Sequence, residues 1–194
     1  QPCISAYLIK QSYEKLNQNT LPNFSQNFED LNENLVENSW NENDYIELRN
    51  IGSSTLFVVV LIYYIKKEEL FVIKKPNTID DELQKLTKRE IDNYCKLSHP
   101  FIPKFYGTIK NKNYQIIEYI NGHTLENIQN LKLSKTEKIT IIFEIILIMQ
   151  YLHKKKFIYR DLKPNNIMID LNKTAVLIDF DRMISLTNDE VHTK

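Results

Sequence analysis

Tyr159-Arg160-Asp161-Leu162-Lys163-Pro164-Asn165-Asn166, followed shortly by Ile178-Asp179-Phe180-Asp181, decides how this chain is read. The two stretches gather carboxylates, cations and carboxamides around one short hairpin, the groups that phosphate and metal chemistry use. Phe157 and Ile158 lead into the polar loop, and Ile167, Met168 and Ile169 lead out of it. Apolar residues therefore pin it at both ends, holding its side chains at a cleft instead of leaving them freely solvated. A charged hairpin turn is the plain alternative for an isolated Asp-Leu-Lys-Pro. Asn166, the apolar strand after it and Asp179-Phe180 weigh against that alternative, because they supply the context such a motif needs.

Length and composition set the outer bounds. At 194 residues and 42% hydrophobic content the chain can bury one ordinary core. Its formal net charge of zero gives no reason to expect nucleic acid or an anionic membrane as the main partner. The two cysteines, Cys3 and Cys95, lie far apart and form no metal-ligand spacing with the histidines. A reduced intracellular, cytoplasmic setting is the simplest reading, with Cys95 a small buried hydrophobe. The apolar run Leu56 to Ile65 is too short for a membrane helix, which needs about 20 residues, and its β-branched and aromatic content predicts a strand. No signal peptide is visible, although the chain opens with Gln1 and so leaves a lost N-terminal segment open.

Residues 1–44 are rich in Asn and acidic side chains, with few candidate core positions, and are expected to form a flexible leader or a weakly ordered helix. Within them Phe24, Phe28, Leu31 and Leu35 share one helical face. From Tyr45 the texture predicts strands over Tyr45 to Ile51, Phe57 to Ile65 and Leu70 to Lys74, an antiparallel meander. Ile79, Leu83, Leu86 and Glu90 then fall on one face of a helix, so a carboxylate sits on an apolar stripe and needs a cationic partner if buried. Strands around Phe105 to Ile109 and Tyr114 to Tyr119 precede Asn121-Gly122 and a short helix from near Thr124. Ser134 and Glu137 form a capping-box pattern ahead of a helix whose wide apolar face, Ile139, Ile142, Ile145, Ile146, Met149 and Leu152, is expected to be largely buried.

The motifs and the order of elements resemble a eukaryotic protein kinase of the serine/threonine type over most of residues 45–194. That resemblance implies an α+β, two-lobed kinase-like fold with a complete N-lobe (45–117), a hinge (118–122) and a partial C-lobe (123–194). It implies ATP and Mg2+ as cofactors and a protein as substrate, whose identity the motifs leave open. Asp161 would orient the attacking hydroxyl and accept its proton, Lys163 would neutralise the γ-phosphate, and Asn166 and Asp179 would hold the metal. Lys74, in Phe71-Val72-Ile73-Lys74, would hold the α- and β-phosphates with Glu90 as its partner. The adenine would lie between Val59 and Val72 above and Met168 below, with Ile117 behind it and the backbone of Glu118 and Ile120 at its edge. Arg160 implies control by phosphorylation, with Thr187 or Thr193 as the acceptor. Lys163 points to serine/threonine specificity on the same basis.

Three departures bear on activity. The loop Gly52-Ser53-Ser54-Thr55-Leu56-Phe57 keeps only the first of the family's three glycines, and Phe57 puts a large side chain where the family has none. Nucleotide affinity is expected to fall, or the loop to sit higher. Asp181 replaces the glycine after Asp179-Phe180, and it is expected to tolerate a left-handed turn there. Tyr159 stands in place of the commoner histidine, a change of little weight. Finally, the chain ends inside what resembles the activation segment, so it reads as a fragment or as a compact kinase. Two rivals stand beside the enzyme: a non-catalytic kinase-like scaffold, and a small-molecule phosphotransferase, whose metal motif Ile178-Asp179-Phe180-Asp181 also resembles.

Overall fold

A computed structural model of the protein describes residues 40–109 and 112–186. The leader stripe Phe24 to Leu35, Cys3, Thr187 and Thr193 lie outside the described residues.

The first half is an antiparallel five-stranded sheet in the order β1-β2-β3-β5-β4. Its strands are β1 (Tyr45–Ser53), β2 (Phe57–Tyr64), β3 (Glu69–Pro76), β4 (Phe105–Thr108) and β5 (Gln115–Glu118). Side chains alternate across the sheet, so its two faces divide the labour. One face carries Val60, Ile62, Phe71, Ile73 and Ile116, all buried in a core with Trp40, Tyr64 and Ile109. The other carries Val59, Val72, Lys74, Gln115 and Ile117, because the register sets Val59 and Gln115 opposite Lys74 and Ile117 opposite Val72. Strand residues directly opposite one another project to the same side.

Trp40 is a core residue within the stretch read as a leader. It is 2% exposed, packs edge-on to Phe71, and donates from its indole to the Tyr106 carbonyl at 3.0 Å. Its partners come from strands well downstream, so no local pattern marks it.

Helix α1 (Asp81–Tyr94) starts at the N-cap Asp80, whose carboxylate accepts from the Leu83 amide. The cap leaves Ile79 outside the helix and 86% exposed, so the predicted stripe shortens to Leu83, Thr87, Glu90 and Tyr94, with Leu86 only half-buried. Cys95 is also corrected: at the C-cap, beyond the last buried turn, it is exposed.

After β5 the chain forms β6 (Gly122–Thr124) and a 3-10 helix over Leu125–Asn130. Gly122 is pressed so closely on β8 (Ile167–Asp170) that a Cβ would lie 2.1 Å from the Ile169 carbonyl oxygen. Any side chain would force the two strands apart.

Helix α2 (Lys135–Lys154) opens with the predicted capping box, in which Ser134 and Glu137 each accept from the other's backbone amide. Its buried face differs from the expected one. Ile141, Glu144, Ile148 and Leu152 point inward, whereas Ile139, Ile142 and Ile146 are exposed and Ile145 and Met149 half-buried. The helix is apolar nearly all round, so its periodicity does not choose a side. Packing against β7 (Phe157–Ile158) and β9 (Ala175–Leu177) does, with the Glu144 carboxylate accepting from the Ala175 amide at 2.7 Å. The strand β10 (Ile184–Ser185) pairs with β7 and closes the described region.

Candidate active site

Lys74 is the centre of a buried ionic cluster. Its ammonium lies 2.7 Å from Glu90 Oε1 and 2.8 Å from Asp179 Oδ1, which joins β3, α1 and the loop after β9 in one cluster. Burial works against the lysine's charge, but the two carboxylates win and hold its pKa well above the ordinary lysine range. Glu90, 1% exposed, therefore has the cation its place on the apolar stripe requires. Its second oxygen accepts from Gln115 Nε2 at 2.7 Å.

The hairpin between β7 and β8 forms a second cluster. Asp161 Oδ2 accepts from Lys163 Nζ at 2.7 Å and from Asn166 Nδ2 at 2.9 Å. Partial burial disfavours the Asp161 carboxylate, yet these two donors outweigh it and keep the pKa below the ordinary value. Asn166 is buried and also donates to the Asp161 carbonyl.

The two clusters are locked together. The Ile178 amide donates to the Asn166 carbonyl at 2.9 Å, and the Tyr159 hydroxyl to the Ile178 carbonyl at 2.6 Å. The Phe180 ring meets Tyr159 on one side and Tyr94 on the other, edge to face, and Tyr94 stacks on Phe105. This aromatic column ties the polar hairpin, the Asp179 loop, α1 and the sheet into one unit. Asn93 adds a bond from α1 to the Met183 carbonyl, and Arg160 donates to the Arg182 carbonyl. Arg160 and Asp179 both adopt left-handed backbone, φ 67 and φ 64, a strained conformation for residues with a side chain. Asp181 does not, which corrects the expectation placed on it: the turn bends two residues earlier in the motif, at Asp179, the carboxylate that reaches Lys74.

The loop between β1 and β2 departs furthest from a phosphate cradle. Ser54 Oγ accepts from the amides of both Leu56 and Phe57, so those donors face inward. Asn77 ties the loop down from outside through the Ser54 and Thr55 carbonyls. Phe57 is 3% exposed, and its ring lies 4.4 Å from the Lys74 ammonium. Gly52 is not demanded by space, since a Cβ there would meet Val59 at an ordinary 3.7 Å.

Of the residues assigned to a base, Val72 is buried, while Val59, Ile117, Glu118, Ile120 and Met168 are half-buried. The Glu118 amide is committed to the Lys104 carbonyl. For a metal, Asn166, Asp179 and Asp181 present oxygen, the donor that Mg2+ prefers. Asp181 Oδ1 is buried without a hydrogen-bond partner among the described residues, and burial followed by the Asp179 charge raises its pKa. Among those residues no three His, Cys, Asp or Glu converge as a metal cage. Mg2+ needs none when one or two carboxylates are completed by phosphate and water, so the residues fit.

The protein kinase domain model matches residues 45–194. The chain belongs to the protein kinase family. This kinase domain is 31% identical over 143 residues to the carbon catabolite-derepressing protein kinases of Candida glabrata and Saccharomyces cerevisiae, covering 71% of the chain and 23% of each relative. It is 35% identical over 115 residues to an Aurora kinase of Debaryomyces hansenii, covering 57% of the chain and 28% of the relative. The chain thus spans about a quarter of the length of these curated relatives. Among the described residues of the kinase domain, no helix is long and apolar enough to cross a membrane.

Reading the sequence missed Gln115, Asn77 and the contact of Phe57 with Lys74. Gln115 carries the one available signal, a carboxamide opening the apolar run Ile116-Ile117.

Proposed function

We propose that this kinase domain transfers the γ-phosphate of ATP to serine or threonine hydroxyls of a protein substrate. The observation that carries the reading is the joining of two clusters, Lys74 with Glu90 and Asp179, and Asp161 with Lys163 and Asn166, by one aromatic column. Phosphoryl transfer asks the protein mainly for position and charge compensation, and these groups supply both. Lys74, held by Glu90, receives the α- and β-phosphates. Asp161 accepts the proton of the attacking hydroxyl, with its carboxylate aimed by Asn166. Lys163, on the exposed rim, meets the transferred phosphoryl group. Asn166 and Asp179 hold Mg2+, which neutralises charge on the phosphates when bound. Val59, Val72, Met168 and Ile117 enclose the adenine, and the Glu118 carbonyl and the backbone of Ile120 meet its polar edge. The domain is proposed to work in a reducing, intracellular compartment, on the support of Cys95, which forms no disulfide among the described residues.

A second reading, a non-catalytic scaffold, is favoured by the inward-turned amides of the β1–β2 loop and by Phe57 resting on Lys74. Two substitutions separate the readings. Asp161→Asn should leave Mg2+-dependent ATP affinity nearly intact and lower single-turnover transfer to a serine-containing protein by about 10²- to 10⁴-fold. Asp179→Asn should weaken the Mg2+-dependent affinity itself. Unchanged turnover in Asp161→Asn, or no transfer by the unaltered protein, sinks the enzyme and leaves the scaffold.

A further inference from the structure

We propose that Gln115 is a positioning residue for this site: it straps the Glu90 carboxylate to the sheet so that Glu90 can hold Lys74 in place. The inference rests on the phosphate-holding role given to Lys74 above. Gln115 opens β5 directly opposite Lys74 on β3, on the same face of the sheet. It is fully buried, and its Nε2 donates to Glu90 Oε2 at 2.7 Å while Lys74 takes Oε1. Both oxygens of one buried carboxylate are thus fixed from two neighbouring strands. Without Gln115, Glu90 Oε2 would be left without this donor, and the carboxylate would be free to rotate away from Lys74.

The cost of the arrangement points to a role in the site instead of in the core. Gln115 Oε1 is buried with no hydrogen-bond partner among the described residues. A leucine or methionine would fill a similar volume with no stranded carbonyl. A buried polar group that breaks a packing rule is expected where function requires it.

Gln115→Met removes the donor and keeps the length of the side chain. Its melting temperature should stay close to that of the unaltered chain, because removal of the stranded Gln115 Oε1 is offset by the donor that Glu90 Oε2 loses. Acylation of the Lys74 amine, followed by mass spectrometry of the labelled peptide, should run several-fold faster. Affinity for Mg2+-ATP should fall about ten-fold or more, the range for losing a hydrogen bond to a charged group. With Glu90→Gln already in place, Gln115→Met should add nothing to Lys74 labelling, whereas a general loosening of the fold would add its full effect in both backgrounds.

Unchanged Lys74 labelling in folded Gln115→Met overturns the proposal, and so do equal increments with and without Glu90→Gln. Should the methionine variant fail to fold, Gln115→Leu is scored by the same measurements. Failure of both to fold shows that Gln115 serves the core, which also overturns it. If the unaltered chain binds no Mg2+-ATP, the reading of Lys74 as a phosphate holder falls, while the labelling experiment still decides what Gln115 does to Glu90 and Lys74.

Discussion

Phe57→Gly should tighten the binding of Mg2+-ATP. The Phe57 ring is 3% exposed and stands 4.4 Å from the Lys74 ammonium, which phosphates must reach in the proposed mechanism. A cation held against an aromatic face in a desolvated site is worth on the order of 2 kcal/mol. At about 1.4 kcal/mol per factor of ten, removing that competitor raises affinity by up to about 30-fold, before any relief of crowding is added. Stability moves the other way. Truncating a buried phenylalanine costs about 3–5 kcal/mol, a large share of the roughly 5–15 kcal/mol that holds a domain together. Affinity must therefore be measured well below the melting temperature of the variant, by calorimetric titration with and without Mg2+, with circular dichroism confirming the fold. Phe57→Leu supplies the control, since it keeps apolar filling and removes the aromatic face, and should retain more stability while showing part of the gain. A folded Phe57→Gly protein with unchanged or weaker affinity would refute the idea that this ring occupies the approach to Lys74.

Two further outcomes concern the rest of the molecule. Trp40→Ala should lower the free energy of unfolding by about 3–5 kcal/mol in urea titrations, because the indole fills the core beneath Tyr64 and Phe71; a loss under about 1 kcal/mol would show that the residue contributes nothing to it. Glu144, 1% exposed, has its carboxyl pushed up by burial to about 7 from an ordinary 4.5, with the Ala175 amide opposing and Asp170 adding to the rise. An acid whose pKa is higher in the folded state favours folding below the unfolded value of about 4.5, and that advantage is lost as pH rises through about 7. Glu144→Gln should therefore have a higher free energy of unfolding than the unaltered chain at pH 8, by at most on the order of 3 kcal/mol, with the gap closing towards pH 5. A constant gap across that range would remove the titration of Glu144 as its cause.

Much of this fold was legible in one dimension because the signals are local. The β-branched run of β2, the Ser134–Glu137 capping box and the carboxylate at Glu90 on an apolar stripe each act within a few residues of themselves. The motif around Asp161 and the one at Asp179 were readable as chemistry, since their functional groups are adjacent in the chain. What the tertiary structure alone decided are the partners. Helix α2 is apolar on almost every side, so its inward face follows from where β7 and β9 lie and not from its period. Trp40 belongs to a core assembled from strands up to 76 residues further on. Phe57 could be recognised as too large for its loop, but that it would rest on Lys74 depends on how β2 and β3 align. Gln115 meets Glu90 across 25 residues of chain, and a carboxamide in a strand says nothing of the carboxylate it will face. Short-range hydrogen bonding and periodicity are written residue by residue, whereas burial and charge pairing are properties of neighbours that exist only once the chain has closed on itself.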